Sequence, residues 1–142
     1  MKIDYMGNTI VEILNFHGKT DFPFTPGIYV LGDDSATGKT RLYKLLSHLH
    51  VMDKRVEAYT YTDIQLLKEK SIDLKRALLT TDEKTQTIMF DRADLYINDI
   101  TGILDVLKDK YMVLISCKTE MLGDAYYCKV ALESPNTISV YV

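Results

Sequence analysis

The residues in this sequence best suited to chemistry are Gly38-Lys39-Thr40 and, much further along, Asp91. A triphosphate carries dense negative charge, so its site needs backbone N–H donors in a concave turn together with a cation. The run Gly32, Asp33, Asp34, Ser35, Ala36, Thr37, Gly38 can form such a turn. A helix starting at Lys39, Thr40 and Arg41 would add its unsatisfied N–H groups and the positive end of its dipole. Lys39 would bring an ammonium to the β and γ oxygens, and Thr40 a hydroxyl suited to Mg²⁺. Asp91 would reach the same metal directly or through water. The expected ligands are therefore a nucleoside triphosphate and Mg²⁺, with Lys39 and Asp91 the residues that act on the phosphates and the metal. The plainer alternative is that Gly38 caps a turn and Lys39 is a solvated lysine. The flanking pattern disfavours it, because an apolar run precedes the loop and a helical period follows it.

Those flanks are the elements that must position the site. Ile28–Leu31 reads as a buried strand, and Leu42, Leu45, Leu46 and Leu49 recur at helical spacing, giving a helix from about Gly38 to His50. Upstream, Lys2–Met6 and Thr9–Phe16 flank Gly7-Asn8, a two-residue connection suited to a hairpin. His17–Pro26 is a loop. Downstream, Val56–Tyr61 reads as a strand, followed by a helical stretch capped at Thr62 or Asp63 and carrying Ile64, Leu67, Leu74 and Leu78, with a break near Ser71. Thr87–Phe90 and Tyr111–Ile115 are short continuous apolar runs, as expected of strands buried on both faces of a parallel sheet. Between them, Ala93, Ile97, Ile100, Leu104 and Leu107 share one helical face, with Gly102 a weak point. Tyr126–Glu133 and Thr137–Val142, separated by Ser134-Pro135-Asn136, predict an antiparallel hairpin closing the sheet.

Strands alternating with helices predict one α/β domain over residues 1–142, a three-layer sandwich with a mainly parallel central sheet and antiparallel hairpins at both termini. In such a sheet ligands sit beyond the carboxyl ends of the strands. That rule gathers the loop after Leu31, Asp91 and Ser116 on one rim.

The 142 residues suffice for one core, and the charged and hydrophobic fractions, 26% and 46%, argue against disorder. No apolar run approaches a membrane span, and the N-terminus lacks the apolar core of a signal peptide, so a cytoplasmic protein is expected. A net charge of −3 argues against nucleic acid as the main partner. Cys117 and Cys128 lack metal-ligand spacing and read as reduced thiols. His48 and His50 point in different directions on a helix and do not suggest a metal site. The last run, Ser139–Val142, is either a sheet edge open to a protein partner or second copy, or a covered strand.

Gly38-Lys39-Thr40 and Ile88-Met89-Phe90-Asp91 resemble the Walker A ending and Walker B strand of the P-loop NTPase superfamily. The lead-in, Ile13-Leu14-Asn15-Phe16 and then Gly27 to Gly32, looks like the N-terminal part of ABC- and RecF-type ATPase heads. The resemblance implies an ATP-binding P-loop domain with Mg²⁺, and it places Ser116 where such ATPases carry a polar sensor of the γ-phosphate; a strand-end hydroxyl that satisfies the backbone is the equal alternative. Two departures stand out. Asp33 occupies the position of the first family glycine, with Gly32 one residue earlier, so either the loop is one residue longer or Asp33 takes the turn that glycine usually makes; with Asp34 it adds negative charge beside the phosphates. Arg92 stands where related ATPases carry a glutamate that polarises water, and Asp94 is the nearest substitute. Hydrolysis is therefore left open, as slow or partner-dependent. No Leu-Ser-Gly-Gly signature is present. A degenerate fold acting as a non-catalytic interaction module is the alternative, and a small-molecule kinase the second enzyme reading. Cys117-Lys118-Thr119-Glu120 departs from the guanine-reading motif at its first and last positions.

Overall fold

The computed structural model describes residues 2–14, 26–31, 39–52, 56–70, 84–116 and 125–141. The eight strands are β1 (Lys2–Met6), β2 (Thr9–Leu14), β3 (Gly27–Leu31), β4 (Val56–Tyr59), β5 (Thr87–Phe90), β6 (Met112–Ser116), β7 (Tyr126–Ser134) and β8 (Thr137–Tyr141). The helices are α1 (Lys39–Met52), α2 (Tyr61–Glu69) and α3 (Ile97–Leu107), with a short 3₁₀ turn at Ala93–Leu95. One sheet runs in the order β2-β1-β8-β7-β3-β6-β5-β4. The pairs β4–β5, β5–β6, β6–β3 and β3–β7 are parallel, and the pairs joining β7, β8, β1 and β2 are antiparallel.

The strict alternation of side chains along a strand divides the core in two. Tyr29, Leu31, Met89, Met112 and Leu114 face α1, whose Leu42, Leu45 and Leu46 are buried against them. Ile28, Val30, Ile88, Phe90, Val113 and Ile115 belong to the other side, with Ile64 of α2 and Ile97, Ile100, Leu104 and Leu107 of α3. Helices cover both faces of the parallel half, which is why its strands read as unbroken apolar runs. The expected three-layer α/β architecture is thus present. No helix among the described residues is long and apolar enough to cross a membrane.

Several boundaries move, each for a local reason. β4 stops at Tyr59 because Thr60 begins the helix that the sequence suggested was capped at Thr62 or Asp63. Thr60 is extended, its hydroxyl accepts from the Asp63 N–H, and the Asp63 carboxylate accepts from the Thr60 N–H at 2.8 Å. This reciprocal box satisfies two donors that would otherwise be orphaned. The helical face expected from Ala93 onward is split at Tyr96, whose φ of −143° breaks the helix between the 3₁₀ turn and α3. Gly7, at φ +60°, opens the turn between β1 and β2, as the two-residue connection required.

The two hairpins do not flank the sheet, one at each edge. They stack side by side on the same side, so β8 lies between β1 and β7 and is covered on both edges. Among the described residues, the outermost strands of the sheet are β2 and β4. The expected helical residues Leu74 and Leu78, the break near Ser71, the end of the expected strand at Phe16, and Cys117 lie outside the described residues. Cys128 is buried and free, and burial pushes its thiol up to about 11.

Candidate functional site: the rim above the parallel strands

Because β3, β4, β5 and β6 are parallel, their carboxyl ends share one rim. The register is continuous across it: Leu31 pairs with Ser116, Ile115 with Phe90, and Phe90 with Tyr59. Strand β6 separates β3 from β5, so Asp91 stands two strand spacings, roughly 10 Å, from the end of β3. Whatever joins the loop after Leu31 to Asp91 must bridge the tip of β6, where Ser116 is buried at 7% exposure.

The loop residues Gly32, Asp33, Asp34, Ser35, Ala36, Thr37 and Gly38 lie outside the described residues. On its far side α1 begins at Lys39, which is half-buried, and Thr40, which is exposed. The first turn of α1 holds no acidic residue, so no carboxylate of the helix itself offsets the positive end of its dipole. Arg41 is directed elsewhere. Its guanidinium donates to the Asn8 side chain at 3.1 Å and lies 5.7 Å from the centre of the Tyr5 ring. It ties α1 to the hairpin turn.

Asp91 is the electrostatic centre of the described rim. Its N–H donates to the Tyr59 carbonyl at 2.9 Å, continuing the β4–β5 ladder by one bond beyond the strand. Its side chain is half-buried, and that desolvation holds the carboxyl above the ordinary aspartate range. The Arg92 charge, a hydrogen bond from the Arg92 backbone N–H and the Lys39 ammonium pull the other way, while Asp94 adds to the rise. The charges of Lys39 and Asp91 therefore act on one another across the rim, although the two residues are 52 positions apart in the chain. Arg92 itself adopts the left-handed region at φ 49° and is exposed. Asp94 is also exposed, in the 3₁₀ turn, with no capping bond there.

Tyrosines that the sequence did not single out surround this carboxylate. Tyr43 follows Lys39 by one helical turn, and burial raises its phenol, as do the Asp63 and Asp91 charges, against a hydrogen bond with Ser47. Tyr96 donates from its hydroxyl to the Asp91 carbonyl at 2.6 Å. Burial, then Asp91, Tyr43 and Asp63, raise its phenol strongly. The i, i+4 spacing of Lys39 and Tyr43 could have flagged the first. Nothing local flags Tyr96.

The donor set suits Mg²⁺ in kind. Thr40 and Asp91 offer hard oxygens, a hydroxyl and a carboxylate, and Mg²⁺ in phosphate sites is held by one or two such groups plus phosphate and water. Among the described residues no group of three or more His, Cys, Asp or Glu could hold a metal unaided. A metal at Asp91 would therefore depend on a phosphate ligand for the rest of its shell.

No protein-family model and no curated protein matches this sequence. Among solved structures, the chain is similar to the crystal structure of a DNA replication initiation factor, with a TM-score of 0.51 and 15% sequence identity. The match covers 76% of this chain and 41% of that one. At that identity the likeness is one of fold. It fits the α/β sandwich described above, spanning well under half of the larger protein.

Proposed function

We propose that this domain binds a nucleoside triphosphate, ATP in the first instance, together with Mg²⁺. The observation that carries the reading is that Lys39, at the start of a helix free of acidic residues in its first turn, lies where its charge reaches the half-buried Asp91, just beyond β5 and two strands from β3. Lys39 would neutralise β- and γ-phosphate oxygens, and loop 32–38 would wrap them with N–H groups. Thr40 and Asp91 would hold Mg²⁺, which when bound would supply Lewis-acid stabilisation of phosphate charge. The fold shared with a DNA replication initiation factor supports a nucleotide-binding scaffold in general terms.

Turnover is a separate matter. The residue after Asp91 is Arg92, exposed and left-handed, so no carboxylate follows the metal residue directly. Asp94 lies near enough to influence Asp91, and Ser116 ends the strand between β3 and β5. We infer slow hydrolysis, or hydrolysis completed by a partner, with Asp94 and Ser116 as the residues to test. Arg92 in that position equally suits the second reading, a fold retained as a non-catalytic interaction module.

Thermal unfolding tests the binding reading. ATP with Mg²⁺ at millimolar concentration should raise the midpoint, and Lys39→Ala should abolish the rise while leaving the unliganded midpoint within about 2 °C. No shift with any nucleotide would sink nucleotide binding and favour the interaction module.

A further inference from the structure

Tyr96 interrupts a segment whose apolar spacing would otherwise support one continuous helix, and it is only 2% exposed. The interruption gives its hydroxyl a definite position. It donates to the carbonyl of Asp91 at 2.6 Å, with the carbonyl of Tyr59 as a second, longer acceptor at 3.3 Å. These are the groups at which β5 and β4 end, so one side chain ties together the tips of two adjacent strands. The ring is held on two sides, edge-on to Phe90 at 6.4 Å and tilted against Tyr61 at 6.5 Å. Phe90 in turn stacks on Tyr59 at 5.7 Å. The Asp91 N–H is held in turn, donating to the Tyr59 carbonyl at 2.9 Å. The backbone of Asp91 is therefore anchored on both sides of its Cα, by its N–H and by its carbonyl, just before the left-handed Arg92. Fixing those two groups fixes the direction in which the Asp91 side chain leaves the strand tip.

We propose that Tyr96 is a positioning residue for Asp91, locking the Asp91–Arg92 peptide so that the carboxylate faces the rim and can meet a metal. The proposal rests on the reading of Asp91 as a Mg²⁺ residue in a nucleotide site. A merely structural tyrosine would fill space and satisfy its own hydroxyl. A positioning tyrosine also sets the metal requirement.

The test is Tyr96→Phe, which keeps the ring and removes only the hydroxyl. At fixed ATP, the Mg²⁺ concentration that gives half of the ATP-induced rise in melting temperature should increase about three- to tenfold, the equivalent of one ordinary hydrogen bond. The shift given by ATP in EDTA should stay unchanged, because phosphate contacts at Lys39 do not involve Tyr96. A lowered unliganded midpoint with an unaltered Mg²⁺ requirement overturns the proposal and leaves nucleotide binding intact. If Tyr96→Phe does not fold, Tyr61→Ala, which removes a half-exposed ring from one side of Tyr96, should raise the Mg²⁺ requirement about twofold to threefold. An unaltered requirement there overturns the proposal likewise. Absence of any ATP-dependent shift in the parent protein removes the nucleotide reading itself, and this inference with it.

Discussion

A half-buried aspartate held above its ordinary range is a cost to the folded state, and at Asp91 that cost coincides with the proposed metal position. The sign follows from linkage. A carboxyl whose folded pKa exceeds its unfolded value favours folding at pH below the unfolded value. That contribution is lost as pH rises through the folded value, because the folded protein must then keep the charge where water solvates it poorly. Asp91→Asn should therefore raise the unliganded melting temperature at pH 7, by roughly 2–4 °C, and the advantage should vanish as pH falls below the ordinary aspartate range. The same variant should lose the Mg²⁺-dependent part of the ATP shift. Melting curves with and without ligand, taken from pH 3 to 7, check both signs, and a destabilised variant at neutral pH would show that Asp91 is a structural carboxylate. The places of Lys39, Thr40 and Asp91, at a helix start and just beyond a strand end, were legible in the sequence because local apolar periodicity marks both. Tyr43 and Tyr96 were not, because their roles depend on which strand tip each helix crosses.

At the scale of elements, glycine has opposite meanings at two positions. Gly102 lies within α3, exposed, and a Cβ there would meet nothing within 4 Å. Gly102→Ala should stabilise the protein by about 0.5–1 kcal/mol through helix propensity and a less disordered unfolded chain, measured by urea unfolding. Gly27 begins β3 at φ +148°, where a Cβ would come within 3.3 Å of the Tyr126 ring. Tyr126 stacks on Tyr29 there, with ring centres 5.1 Å apart. Gly27→Ala should cost about 1–3 kcal/mol, since strain and crowding act together at the root of β3. The α2 cap is a third device of this kind: Thr60→Ala should cost about 1 kcal/mol. Its threonine-to-aspartate spacing was readable, yet the sequence reading placed the cap at Thr62 or Asp63. Thr60 continues the β-forming run of β4, and only the reciprocal bonds with Asp63 show where the strand gives way.

For the whole molecule, the position of β8 is decisive. Ile138 is fully buried within a strand paired on both sides, to β1 and to β7. Ile138→Ala should cost about 2–5 kcal/mol, as for an interior core residue, and a cost below 1 kcal/mol would show that β8 behaves as an edge. Sequence alone determined that strands and helices alternate, that the strands at 28–31, 87–90 and 111–115 are buried on both faces, and that Lys39, Thr40, Asp91 and Ser116 belong to strand ends and a helix start. Those features are written in local periodicity and in the chemistry of single residues. Tertiary structure alone decided that β6 lies between β3 and β5, that both hairpins join on one side, and that Tyr96 crosses back to hold the peptide after Asp91. Strand order and the reach of a buried hydroxyl depend on pairings between residues far apart in the chain, and backbone hydrogen bonds, being chemically alike, leave no mark in the sequence of which strand will be the neighbour.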